Sequence, residues 1–300
     1  MDSEMTQETK DIKLIVVDLD GTLLNDNHQL SERNERALKD AISQGVQVVI
    51  ATGKTFTSAR TIIEKLDLKT PGIYVQGLTI YQPDGTLIWQ QTLPADVCRR
   101  VITFAEDRGF TVVAYAGTRI LCRELADGIE QLAEKYHEPM PEVVGPLQNI
   151  LFDLNINKLM IVKQNNPKKI TALRWLLERQ LDGQGRLVQA MLKDMVEVLP
   201  PNTSKGSALK HLLKTLGVEA ENVLAIGDGE NDIEMIQLAG VGVAVANADE
   251  RLKSVADHVV ASNQDDGVAE AVERFVLKST ETAPQTTEET KIEDEAAKPE

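Results

Sequence analysis

Two stretches of the 300-residue chain place acids where an apolar run stops. In VVDLDGTLL, Val16 to Leu24, Asp18 and Asp20 stand two apart and Gly21 follows. In NVLAIGDGEND, residues 222–232, Asp228 ends a second apolar run, with Asn231 and Asp232 just beyond. Like charges beside an apolar run are costly unless something compensates them. Asp18, Asp20 and Asp228 together form an oxygen-rich set suited to a hard divalent cation. Magnesium prefers such a set, with a few carboxylates, several waters and a substrate phosphate. Thr52, the backbone amide of Gly53, Lys205 and Asn231 add donors that suit phosphate oxygens. The four histidines, His28, His137, His211 and His258, are scattered outside any zinc spacing, which argues against zinc or phosphohistidine chemistry.

These residues need a scaffold that brings them together, and the pattern of elements supplies one. KLIVVDL (13–19), VQVVIAT (46–52), GIYVQ (72–76), NVLAIGD (222–228) and VGVAV (241–245) read as strands, apolar along their length. Helices are expected between them: one capped by Ser31 and stopping at Gly45, one over 55–66, one over 204–216 and one near 231–239. Alternating strands and helices of this kind imply an α/β fold, a parallel sheet with helices on both faces. Strand period puts Asp18 and Asp20 on one side at the carboxyl edge, where open parallel sheets bind ligands. Residues 81–93 differ, because a Pro-Asp-Gly turn between alternating segments predicts a hairpin. Helices near 95–108, 124–136 and 167–180 and strands near 110–116, 157–163 and 186–191 follow, which reads as an inserted α+β layer.

Composition narrows the function classes. The net charge is -15, and no basic patch or arginine-rich run appears, which argues against nucleic acid or an anionic membrane as partner. No apolar run is long enough for a transmembrane helix, and the polar, acidic start does not resemble a signal or transit peptide. Cys98 and Cys122 sit in no metal or redox spacing and read as reduced, buried thiols of a cytoplasmic protein. Residues 1–11 and 278–300, acidic and nearly free of apolar residues, are expected to be disordered tails.

DLDGT, ATGK, the lysine of SKGSAL and GDGEND, in that order and spacing, resemble the haloacid-dehalogenase-like phosphatases. The inserted middle and the ending DGVAEAVE resemble the Cof-like branch. The resemblance covers about residues 12–277. It implies a Rossmann-like core over 12–81 and 194–277, with a C2-type α/β cap domain over 82–193. It further implies a magnesium-dependent phosphatase for a small phosphorylated metabolite, such as a sugar phosphate or nucleotide-like phosphate. Asp18 would be the nucleophile, forming an aspartyl-phosphate, and Asp20 the acid/base. Asp18, the Asp20 carbonyl, Asp228 and Asp232 would hold the metal. The Leu19 amide, Thr52, Gly53, Lys205 and Asn231 would hold the phosphoryl group. Two positions depart from the family pattern: Lys54 stands where Arg is frequent, and Gln76-Gly77 where Asn-Gly is common. Tyr115, Arg119, Arg123 and Lys158 are cap candidates for contacting the leaving group. A phosphomutase with the same aspartyl-phosphate, and a non-catalytic phospho-ligand-binding regulator, are the alternative readings.

Overall fold

The structure, a computed structural model, describes residues 11–126, 128–189 and 192–277. The tails expected to be disordered lie outside these residues, apart from Asp11. The first part of the chain runs β1 (Leu14–Val17), α1 (Glu32–Ser43), β2 (Gln47–Ile50), α2 (Phe56–Lys65), β3 (Gly72–Tyr74) and β4 (Thr79–Tyr81). The middle runs β5 (Leu87–Gln90), α3 (Ala95–Glu106), β6 (Thr111–Ala116), β7 (Arg119–Cys122), α4 (Ile129–Tyr136), β8 (Glu142–Val143), β9 (Lys158–Val162), α5 (Pro167–Leu181), β10 (Arg186–Gln189) and β11 (Met195–Leu199). The last part runs α6 (Lys205–Leu216), β12 (Val223–Gly227), α7 (Ile233–Leu238), β13 (Val241–Val245), α8 (Glu250–Lys253), β14 (His258–Val260) and α9 (Gly267–Phe275).

The core is a parallel sheet in the order β14-β13-β12-β1-β2. Every residue of β1 and β12 is buried, as an all-apolar strand covered on both faces requires. The order makes the chain step one way from β1 to β2 and the other way from β12 to β13. Right-handed crossovers therefore put α1 and α7 on opposite faces. Ser31 caps α1 as expected, accepting from the Asn34 N–H. The third expected parallel strand is a correction. β3 meets the end of β2 through a single parallel bridge, Ala51 to Ile73, and otherwise pairs antiparallel with β4 in a separate sheet, β3-β4-β5. The turn at Gln82–Gly85, closed by a 2.9 Å hydrogen bond, joins β4 to β5 as the predicted hairpin.

The middle builds a six-stranded sheet in the order β10-β11-β9-β6-β7-β8, antiparallel except for β7 with β8. One face is covered by an apolar layer that includes Val97 and Ile102 of α3 and Leu173 and Leu177 of α5. The other face turns Tyr115, Lys158 and Glu197 toward the carboxyl edge of the core sheet. β11 extends this sheet to Leu199, past residue 193. The run MVEVL has no plain period-2 pattern in its sequence, because its one acid, Glu197, is itself buried. No helix among the described residues is long and apolar enough to cross a membrane.

Candidate active site

β1 ends at Val17, and a tight turn follows, with the Leu23 N–H donating to the Asp18 carbonyl at 3.2 Å. The strand period therefore lapses before Asp20. Both acids line the same cavity, but only Asp18 belongs to the acidic cluster with Asp228 and Asp232. Asp18 is buried, and its Oδ1 lies 2.6 Å from Lys205 Nζ. Lys205 opens α6, whose N-cap Ser204 accepts from the Ser207 N–H, so the capping geometry aims the lysine inward. Lys205 Nζ also lies 2.7 Å from Asp232 Oδ1. Asp232 Oδ2 in turn accepts from the N–H groups of Asp228 and Gly229, at 3.1 and 3.0 Å. The Thr22 hydroxyl donates to Asp228 Oδ1 at 2.9 Å, and so reaches across to the next strand end instead of back into its own turn. Gly21 has φ +78°, and a Cβ there would stand 2.4 Å from Asp228 Oδ2. Only glycine lets the two acidic loops approach this closely.

Carboxylate oxygens of Asp18, Asp228 and Asp232 come within 4.8 Å of one another. Burial, then repulsion from Asp232 and Asp228, outweighs Lys205 and holds the Asp18 carboxyl well above its usual range. Burial, followed by Asp232, lifts Asp228 to about 6. For Lys205, burial alone would favour the neutral amine, but Asp18 and Asp232 outweigh it and keep the group a cation. Three carboxylates facing one ammonium leave excess negative charge. That donor set fits a hard divalent cation, which would relieve the excess.

Asp20 lies apart from this cluster, half-buried between His28 Nδ1 at 3.0 Å and Lys54 Nζ at 3.2 Å. Lys54 is therefore a buried ion-pair partner rather than a solvated residue at a helix start. The His28 ring packs on His137, with centroids 3.5 Å apart. Next to it, buried Glu138 crosses to the start of α2. It accepts from the Thr55 N–H and the Thr55 hydroxyl, both at 2.8 Å, and from the Ser58 hydroxyl. The inserted segment is thus fastened to the core beside Asp20.

Thr52 and Gly53 follow β2, and both line the cavity with Asp18 and Lys205. Leu19 is buried between Asp18 and Asp20. Asn231 donates from Nδ2 to Gln76 Oε1 at 2.9 Å, so the amide at position 76 orients the one at 231. Val75 and Gln76 have φ +51° and +61°, an uncommon turn that is costly for a β-branched residue. The turn is held by the Val75 N–H on the Lys54 carbonyl and the Gln76 N–H on the Thr52 carbonyl. A Cβ on Gly77 would stand 2.2 Å from the Ser204 carbonyl, so this turn packs directly on the helix start that carries Lys205.

Of the cap candidates, Tyr115 and Lys158 line the cavity. Arg119 and Arg123 face away, paired with Glu142 and Glu106. Sequence reasoning missed His28, Glu138, Arg174, Arg186 and Glu197. Only Glu197 left a trace, as the lone acid of an apolar run. The buried Cys98 thiol is pushed up to about 12 by burial, which rules it out as a thiolate nucleophile.

Residues 15–272 match the family described as haloacid dehalogenase-like hydrolase. Phosphatase YwpJ of Bacillus subtilis is 31% identical over 287 residues, covering 88% of this chain and 100% of that protein. A chloroplastic endoribonuclease YBEY of Arabidopsis thaliana is 38% identical over 274 residues. That match covers 88% of this chain, which spans only 46% of the plant protein. Among solved structures, a haloacid dehalogenase-like hydrolase from Bacteroides thetaiotaomicron superposes with a TM-score of 0.80 at 30% identity, covering 88% of this chain and 99% of that one. With the strand-end acids and the helix-borne lysine in place, the chain belongs to the haloacid dehalogenase-like hydrolase family.

Proposed function

We propose that the protein is a magnesium-dependent phosphatase for a small phosphate monoester, such as a sugar phosphate or a nucleotide-like phosphate. The observation that carries this reading is the buried Asp18 carboxylate, held by Lys205 beside Asp228 and Asp232. A carboxylate in that setting is a competent nucleophile toward phosphorus. An Asp18 oxygen attacks the phosphorus, the ester P–O bond breaks, and Asp20 gives its proton to the leaving oxygen. Water then attacks the aspartyl-phosphate while Asp20 takes a proton from it, which frees phosphate and restores the Asp18 carboxylate. Lys205, Thr52, Asn231 and the amides of Leu19 and Gly53 hold the phosphoryl oxygens. Magnesium, held by Asp18, Asp228, Asp232 and the Asp20 carbonyl, supplies charge neutralisation at the phosphoryl group. His28 and Lys54 fix the Asp20 carboxylate between them.

The inserted layer over residues 82–193, continued by β11 to Leu199, acts as a cap that excludes water and selects the substrate. Residues 81–84 and 192–196 join paired strands, β4 to β5 and β10 to β11, and so are turns within sheets rather than hinges. The contact of Glu138 with Thr55 and Ser58 supports this reading. Phosphate release from an aryl phosphate and a panel of sugar and nucleotide phosphates, with magnesium and with chelator, is the test. Magnesium-dependent release is expected. Isomerised phosphosugar without free phosphate would replace hydrolysis by mutase chemistry, and no turnover of any kind would refute the enzyme.

A further inference from the structure

A cavity of about 810 Å³ separates the carboxyl edge of the core sheet from the open face of the antiparallel sheet. This volume suits a small metabolite rather than a polymer. Its far wall carries Tyr115, Lys158 and Glu197 together with Arg174 of α5 and Arg186 of β10. These charges fall into two kinds. Lys158 Nζ lies 2.7 Å from Glu197 Oε1, both side chains are buried, and the ammonium sits 4.4 Å from the centre of the Tyr115 ring. That pair is neutral as a unit. The two arginines are not neutralised. Arg186 donates to the Thr203 carbonyl at 2.7 Å and Arg174 reaches the Leu187 carbonyl at 3.5 Å. No described carboxylate forms an ion pair with either. A carbonyl anchors a guanidinium without cancelling its charge, and most of the fork stays available for a second partner.

The chain has 47 acids and 32 lysines and arginines, so acidic partners are in excess. Two guanidiniums left without one, lining the cavity that also holds the phosphoryl site, mark a place for an anion. We propose that the leaving group of the substrate carries a second anionic group, a carboxylate or a further phosphate, and that Arg174 and Arg186 bind it. The proposal rests on the phosphatase reading and narrows its substrate class. The planar fork of arginine suits both anions, bidentate in each case.

The test compares kcat/KM for paired esters: 3-phosphoglycerate against glycerol 3-phosphate, and glucose 1,6-bisphosphate against glucose 6-phosphate. A charge-assisted contact predicts a preference of about ten- to hundredfold for the anionic member of at least one pair. The pair that shows it tells carboxylate from phosphate. The double variant Arg174→Gln/Arg186→Gln should lose that factor on the anionic member relative to its partner. Equal kcat/KM within both pairs, or a variant that loses the same factor on both members, would overturn the proposal. If no ester releases phosphate, the phosphatase reading itself has failed. Calorimetric binding of the same pairs to Asp18→Asn protein then decides the arginine reading alone. Tighter binding of the anionic member supports it, and equal binding overturns it.

Discussion

Replacing Asp228 with Asn should stabilise the metal-free protein at neutral pH while removing its response to magnesium. Burial and Asp232 lift Asp228 from 3.8 to about 6 in the folded state. A carboxyl whose folded pKa is raised contributes stability that is fully present below 3.8 and lost as pH rises through about 6. The shift corresponds to about 3 kcal/mol. Asn keeps the oxygen that accepts from Thr22, so the hydrogen bond at 2.9 Å survives and only the charge is lost. At 2–4 °C per kcal/mol for a chain of this size, Asp228→Asn should melt roughly 6–12 °C above wild type in chelator at pH 8. The gap should close toward pH 4. Magnesium at a thousandfold its Kd should reverse the order, since it then adds about 4.1 kcal/mol to a protein that binds it, more than the gap of about 3 kcal/mol. Thermal melts at both pH values, with chelator and with magnesium, make the measurement. A variant that melts below wild type in chelator at pH 8 would refute the reasoning, because the carboxylate would then be a net stabiliser without metal.

Three further outcomes follow from contacts around the cluster. Gly77→Ala would combine φ +87° with a Cβ 2.2 Å from the Ser204 carbonyl, so it should lose at least about 1–3 kcal/mol of stability, seen as a lower melting temperature. Gln76→Ala removes the acceptor of Asn231, at 2.9 Å, and should lower kcat/KM about tenfold while the melting temperature changes little. Glu138→Ala leaves the Thr55 N–H at the start of α2 without its acceptor. It should raise KM and protease sensitivity of the inserted segment while magnesium affinity stays the same; an unchanged KM would remove Glu138 from cap fastening.

The parallel core was legible because its strands are apolar throughout and end in glycine or acid, as in LIVVD and VLAIGD. Lys205 was legible because Ser204 caps its helix locally. β3 was misplaced because three apolar residues fit a parallel or an antiparallel partner equally, and only the register to Tyr81 decides. β14, three residues at the sheet edge, is too short to show a period. His28 and Glu138 lie 110 residues apart in loops and come together only through the docking of the inserted layer, so no local pattern marks them. Gln76 was visible as a departure from the family, but its service to Asn231 depends on a positive-φ turn that composition does not reveal.

The central claim is that Asp18 takes the phosphoryl group. Mass spectrometry of enzyme quenched in acid during turnover of an aryl phosphate, with magnesium present, tests it most directly. The account predicts a phosphoryl adduct on the peptide containing Asp18, absent from Asp18→Asn, together with loss of phosphate release in that variant. Phosphate release retained by Asp18→Asn, or an adduct on a different residue, would contradict it.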